Sequence, residues 1–290
     1  MTAMAPFDAP RQRQFQLDGV SLAAQHWGDD NAPMIVAVHG WLDNSESFAP
    51  LAPLLCAAGY QVLALDWTGH GHSGHRGSAA SYSFLDYLYE LHQVMLQLPT
   101  PPLCLMGHSM GGILAGLYLG TYPQQCQSLV VIEALGPLTQ TPENTAKQLR
   151  NGIESRLRAG TPSTDLDLAK LVKARKQLTD LPEALLQPLL VRNLRQQDGR
   201  WQWRSDPRLR LRSLLMMAEP QARSMTEAIT APSLILLAQQ GFSTLREAWD
   251  VRAPWFKQGQ LQTVPGGHHC HMTDPQPSAD TIISFLAGVQ

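Results

Sequence analysis

The chain has 290 residues, 44% of them hydrophobic, and carries 22 Lys and Arg against 24 Asp and Glu, a formal charge of −2. That balance excludes a disordered segment and gives no bulk charge to attract nucleic acid or an anionic membrane, while the length can hold a large domain or a core with an insertion. Cys56, Cys104, Cys126 and Cys270 lie far apart with no Cys-x-x-Cys spacing, as free thiols in a reducing compartment do.

Met1 to Gln16 contains Pro6, Pro10 and two arginines but no continuous apolar segment, and no later run reaches membrane-spanning length, so a soluble cytoplasmic protein is expected. Phe15 to Trp27 reads as two alternating runs turned at Asp18-Gly19, a hairpin signal. Met34 to Val38 is unbroken and apolar, as in a strand buried on both faces, and runs into His39-Gly40-Trp41. A helix is expected from Phe48 to Leu55, closed by Gly59. A second buried strand, Tyr60 to Leu65, ends at the stretch Asp66 to His75.

Phe84, Leu85, Leu88, Leu91, Val94, Met95 and Leu98 keep helical spacing, with Ser81 or Ser83 as cap. Leu103 to Met106 is a short apolar strand bounded by Pro101-Pro102 and Gly107. It leads through Gly107-His108-Ser109-Met110-Gly111 into a helix marked by Ile113, Leu114, Leu117 and Tyr118 and stopped at Tyr122-Pro123. A serine at such a strained strand-to-helix corner leaves room only for hydrogen two residues before and two after, which is the job of the two glycines. Ser109 Oγ would then stand exposed at a helix N-terminus, where free N–H groups favour developing negative charge.

Leu129 to Ile132 forms another strand, ending at Glu133, and the alternation of strand and helix to this point specifies a parallel sheet with helices on both faces. From 137 to 228 the rhythm changes. Helical stretches are expected at Asn144 to Arg158, Asp165 to Leu178, Leu181 to Leu194 and Leu209 to Ala218, interrupted at Trp201 to Pro207. Lys and Arg concentrate there among Asp and Glu, as on a solvated helical face. Strands return at Ser233 to Leu237 and Leu261 to Val264, and the last helix runs from Pro277 to Leu286. The expected class is therefore α/β, with a core of 1–136 and 229–290 and an inserted helical cap at 137–228.

His39-Gly40-Trp41, Asp66-x-x-Gly69-x-Gly71-x-Ser73, Gly107-His108-Ser109-Met110-Gly111, and Gly267-His268 with Pro275 seven residues on appear in this order after successive strands. Together they resemble the α/β-hydrolase family, and more narrowly its capped members with a serine nucleophile. Gly267-His268-His269-Cys270-His271 and Asp206-Pro207-Arg208-Leu209 resemble its serine-hydrolase-like subgroup.

The resemblance implies Ser109 as nucleophile and His268 as the base that activates it, with His269 and His271 as rivals. It implies an oxyanion hole from the backbone N–H groups of Trp41 and Met110. The position that normally carries the acid aligns with Gly241, so Glu133, at the end of the strand after the nucleophile helix, is the expected acid, with Asp250 and Glu247 as alternatives. His39 and the loop bearing His70, His72 and His75 are expected to be structural. A metal held by His268, His269 and His271 is disfavoured, since Asp274 is the only carboxylate near them in sequence.

Trp41, His108, Met216 and Met217 are candidate pocket residues, although Trp41 would serve equally as core and the methionines as the cap's own packing. The expected activity is hydrolysis of carboxylic esters of short to medium acyl chain, without cofactor or metal. A small-molecule ester is the partner, and neither nucleic acid nor membrane is involved. The alternatives are a serine-dependent carbon–carbon hydrolase of diketones, whose substrate carboxylate the cap arginines could hold, and a binding protein that turns over slowly, supported by the glycine at 241.

Overall fold

In a computed structural model that describes residues 9–158 and 166–289, Asp18-Gly19 turns β1 (Arg11–Leu17) into antiparallel β2 (Val20–Trp27). β3 (Met34–Val38), α1 (Ala52–Ala57), β4 (Gln61–Leu65), α2 (Asp86–Met95), β5 (Cys104–His108), α3 (Met110–Thr121) and β6 (Ser128–Ile132) follow. Next come α4 (Thr145–Leu157), α5 (Leu168–Lys176), α6 (Glu183–Arg192), the hairpin of β7 (Leu194–Gln197) and β8 (Arg200–Trp203), and α7 (Glu219–Glu227). The chain closes with β9 (Ser233–Ala238), α8 (Ser243–Arg252), β10 (Gly259–Val264), α9 (Cys270–Thr273) and α10 (Pro275–Ala287). Residues 1–8 of the stretch read for a leader, and Asp165, the expected start of a helix, lie outside the described residues.

Eight strands form one sheet in the order β1-β2-β4-β3-β5-β6-β9-β10. β2 pairs antiparallel with its neighbours, and every pair from β4 to β10 is parallel. The unbroken apolar runs have a direct cause in this layering. Val36, Val38, Leu63, Leu65, Leu105, Leu129 and Val131 point into a core shared with α2 and α3. The residues between them, Ile35, Ala37, Val62, Ala64, Cys104, Met106 and Val130, point into a second core with α1 and α10. A strand covered on both faces has no polar side to alternate with. All four cysteines are buried and unpaired, and no helix among the described residues is long and apolar enough to cross a membrane.

Several expected elements differ. The helix expected at Phe48 to Leu55 divides into a 3₁₀ turn, Ser45–Phe48, and α1, because Pro50 supplies no N–H and obstructs the preceding turn. The helix expected to reach Leu194 ends at Arg192, and the segment around Trp201 is the second strand of a hairpin rather than a break between helices. Asp198 and Gly199 both take positive φ in its two-residue turn, so the Asp-Gly signal legible at 18–19 was present here as well. Leu209 to Ala218 is a 3₁₀ turn followed by non-helical chain. Its carbonyls are used elsewhere: Leu209 accepts from the Trp41 indole, Arg212 from Arg156 and Ser213 from Gln148. Helix resumes only at α7, with Pro220 in its first turn and the Gln221 side chain accepting from the Ala218 N–H.

Candidate active site

Ser109 sits between the end of β5 and the start of α3 at φ +51°, ψ −119°. Its N–H donates to the Ile132 carbonyl at 2.9 Å and its carbonyl accepts from the Ile113 N–H at 3.1 Å, which fixes the corner from both sides. Such a non-glycine geometry costs on the order of 1–3 kcal/mol and persists only where its surroundings enforce it. The two glycines are required sterically. A Cβ on Gly107 would overlap the Gly111 backbone, and one on Gly111 would overlap the Val38 carbonyl oxygen and lie 2.7 Å from that of His39. Gly111→Ala must therefore displace the backbone after β3 from the serine. It is expected to lower ester kcat/KM by roughly a hundredfold, to be checked by steady-state assay beside a thermal melt that verifies folding.

The loop after β3 lies against the nucleophile: a Cβ on Gly40 would be 3.3 Å from Ser109 Cβ. The N–H groups of Trp41 and Met110 have no acceptor among the described residues. Two buried histidines hold this loop. His39 Nδ1–H donates to the Gly40 carbonyl at 2.7 Å while Nε2 accepts from the Trp67 N–H at 3.0 Å. His70 Nε2 accepts from the Leu42 N–H at 3.3 Å and Nδ1–H donates to the Thr68 carbonyl at 3.2 Å. Burial lowers the His70 pKa to about 3, so the ring stays neutral and can accept that bond. Leu42 itself is at φ +63°. Trp41 is 53% exposed, which corrects its alternative reading as a core residue, and its indole N–H donates to the Leu209 carbonyl at 2.9 Å.

Glu133 follows β6 at φ +53°, its N–H bonded to the Leu236 carbonyl. One carboxylate oxygen accepts from the Ala238 N–H at 2.7 Å and the other from His268 Nδ1 at 3.2 Å. Gly241, the position read as an empty acid site, faces this same carboxylate: a Cβ there would overlap both Glu133 oxygens and lie 2.6 Å from Cδ. The alternatives Glu247 and Asp250 are exposed on α8, and neither bonds His268. The His268 carbonyl accepts from His108 Nε2–H at 2.9 Å and its ring centroid is 4.7 Å from that of His108, the residue before Ser109. Phe242 covers the His268 ring at 4.4 Å between centroids. Ser109 Oγ makes no hydrogen bond to the described residues, and such contacts are often long before substrate binds.

The remaining histidines diverge. His269 turns to Asp180 and Asp43, whereas His271 is buried between the rings of His108 and Phe48 with neither nitrogen bonded. Burial puts the His271 pKa at about 3 and, with the neighbouring imidazoles, pushes that of His108 well down. His72 N–H donates to Asp66, and His75 Nε2 bonds the Arg204 carbonyl at 2.6 Å. No group of three or more His, Cys, Asp or Glu side chains among the described residues is arranged to hold a metal ion. Of the candidate pocket residues, His108 is 1% exposed with its ring inside the histidine cluster, which corrects its reading as a pocket wall. Met217 packs on the core shared with α3 and bridges Thr139, and Met216 is half-buried beside it.

Three site-building residues, Asp43, Asp180 and Arg192, have no local sequence signal. Asp43 and Asp180 bracket His269, and Arg192 on α6 reaches buried Asp66 at 2.9 Å. Burial alone would raise the Asp66 carboxyl, but the Arg192 guanidinium holds it below the usual range.

The model of the family described as alpha/beta hydrolase fold matches residues 33–275. The chain is similar to a serine hydrolase-like protein of Danio rerio, 28% identical over 277 residues that cover 91% of this chain and 85% of that protein. It is similar also to the sn-1-specific diacylglycerol lipase ABHD11 of Mus musculus, 32% identical over 90% of this chain and 83% of the relative. The crystal structure of the hypothetical protein PA1622 from Pseudomonas aeruginosa PAO1 superposes with a TM-score of 0.86 at 32% identity, covering 95% of this chain and 99% of the other.

Proposed function

The chain belongs to the α/β-hydrolase fold family, and on that premise we propose that it is a serine hydrolase cleaving carboxylic esters of short to medium acyl chain. The observation that carries the reading is the contact of His268 Nδ1 with Glu133 at 3.2 Å, on a loop whose backbone is bonded to the residue preceding the strained Ser109.

In this mechanism His268 Nε2 takes the Ser109 proton as Oγ attacks the ester carbonyl. Glu133 keeps the Nδ1 proton in place and balances the imidazolium. The oxyanion is received by the unoccupied N–H groups of Trp41 and Met110. Collapse expels the alcohol, which receives the proton from His268. Water, deprotonated by the same imidazole, then releases the acid from the acyl-serine.

The Glu133 carboxylate lies in the room beside Gly241, which favours a working acid over the alternative of a slow binding protein. An ester as the scissile group is consistent with the lipase named among the relatives. With a p-nitrophenyl ester series, a burst near one equivalent of p-nitrophenol followed by steady turnover, strongest for two to eight acyl carbons, is the expected result. Absence of both burst and turnover across the series would reject the reading.

A further inference from the structure

His269 lies where three segments meet. Its Nδ1 contacts Asp180 at 2.5 Å, in the turn before α6, and its Nε2 faces buried Asp43 at 3.7 Å, in the loop after β3. Asp180 grips both neighbours of His268: its second oxygen accepts the His269 N–H at 3.1 Å, and its carboxylate fills the space a Cβ on Gly267 would need. Asp43 closes the loop after β3, its N–H donating to the Gly40 carbonyl at 3.2 Å. Arg175 on α5 reaches the other Asp43 oxygen at 3.4 Å. The other titratable groups around His269 among the described residues are the buried Cys270 thiol, next in the chain, and the rings of His108, His268 and His271, at 5.2, 5.2 and 6.4 Å between centroids.

We propose, resting on the hydrolase reading above, that His269 is a positioning residue, an imidazolium shared between Asp180 and Asp43 that holds the Asp180 turn, the oxyanion loop and the His268 loop in one arrangement. Only the doubly protonated ring can donate toward both carboxylates. Neutral imidazole leaves a lone pair facing one of two poorly solvated anions, which is unfavourable.

Burial alone would lower the His269 pKa, but the hydrogen bonds and charges of Asp180 and Asp43 raise it to about 9. Burial likewise would raise both carboxyls, and His269 holds them below the usual range. Because the folded-state value lies above the ordinary 6.5, the contribution of this contact is complete below that pH and disappears as pH rises through about 9.

The test compares wild type, Asp180→Asn and His269→Asn. Measured are p-nitrophenyl acetate kcat and KM from pH 5.5 to 10.5, labelling of Ser109 by a fluorophosphonate, and NMR titration of the His269 ring, assigned in wild type through its backbone-to-ring correlations. In wild type the ring and the alkaline fall in kcat/KM are expected to titrate together near 9. In Asp180→Asn both should move to lower pH by roughly one unit or more, with kcat at pH 8 reduced about tenfold and labelling at pH 6 retained. If both variants fail to fold, the wild-type comparison decides: coincident titrations support the proposal and separate ones overturn it. A wild-type enzyme that labels and turns over, with an Asp180→Asn profile superimposable on it, overturns the proposal alone. Wild type that neither labels nor turns over removes the hydrolase reading and this proposal with it.

Discussion

Replacement of Ser109 by alanine is expected to abolish the acyl burst and lower kcat on the order of a millionfold, as loss of the nucleophile does in enzymes that work through a charge-assisted serine. KM should stay within a few-fold, because the oxyanion donors and the walls around them are untouched. Stability should change little as well, since alanine keeps the Cβ and inherits the same φ of +51°. Pre-steady-state kinetics on the two proteins, with melts to match, checks all three statements. Retention of even a hundredth of the parent kcat would place the nucleophile elsewhere.

Removing the acid is expected to cost on the order of a thousandfold in kcat, about 4 kcal/mol, and the structure indicates how to restore it. Glu133→Gln keeps the shape but loses the charge that balances the His268 imidazolium. Gly241 has an ordinary backbone conformation, so a side chain there is barred by the Glu133 carboxylate rather than by φ. Gly241→Asp alone should therefore collide and destabilise. In combination with Glu133→Gly, which also relaxes the positive φ at 133, the new aspartate enters the vacated room beside His268. The double variant is expected to recover at least tenfold over Glu133→Gly in kcat. Equal turnover of Glu133→Gln and parent would eliminate Glu133 as the acid, and a double variant no better than Glu133→Gly would show that position 241 cannot take over the role.

What could be read from the residues follows the range of the forces involved. β3, β4, β5, β6 and β9 were legible because two apolar layers leave a local record, a run without polar gaps. The corner at Ser109 was legible for a similar reason, its steric demand falling on residues two positions away. Glu133 could be inferred only because 241 is glycine. The β7–β8 hairpin was missed although Asp198-Gly199 announces it, because the neighbouring Leu, Arg and Gln favour helix by composition. α8 is not evident in the sequence either, because its apolar stripe, Leu245, Ala248 and Trp249, is short, only half-buried and set among charged residues. Asp43 and Asp180 gain their meaning from an imidazole far along the chain, and nothing adjacent to either announces it. Leu42 is a further case, a bulky residue at positive φ that only the bonds from His70 and Asn193 explain.

The Arg192–Asp66 pair governs how the molecule can breathe. Both groups are sealed from water. They are flanked by the Asn44 amide donating to the Leu189 carbonyl and by Asn193, which bonds both Gly71 and Leu42. Leaving one member of such a pair buried alone costs about 3–5 kcal/mol, so α6 is held to the loop after β4 more firmly than surface contacts would hold it. The ribbon at 211–217 and α4 are joined to each other by exposed contacts through Arg156 and Gln148, and among the described residues no buried ion pair anchors either of them. Of these segments, that ribbon and α4 are therefore expected to open ahead of α6.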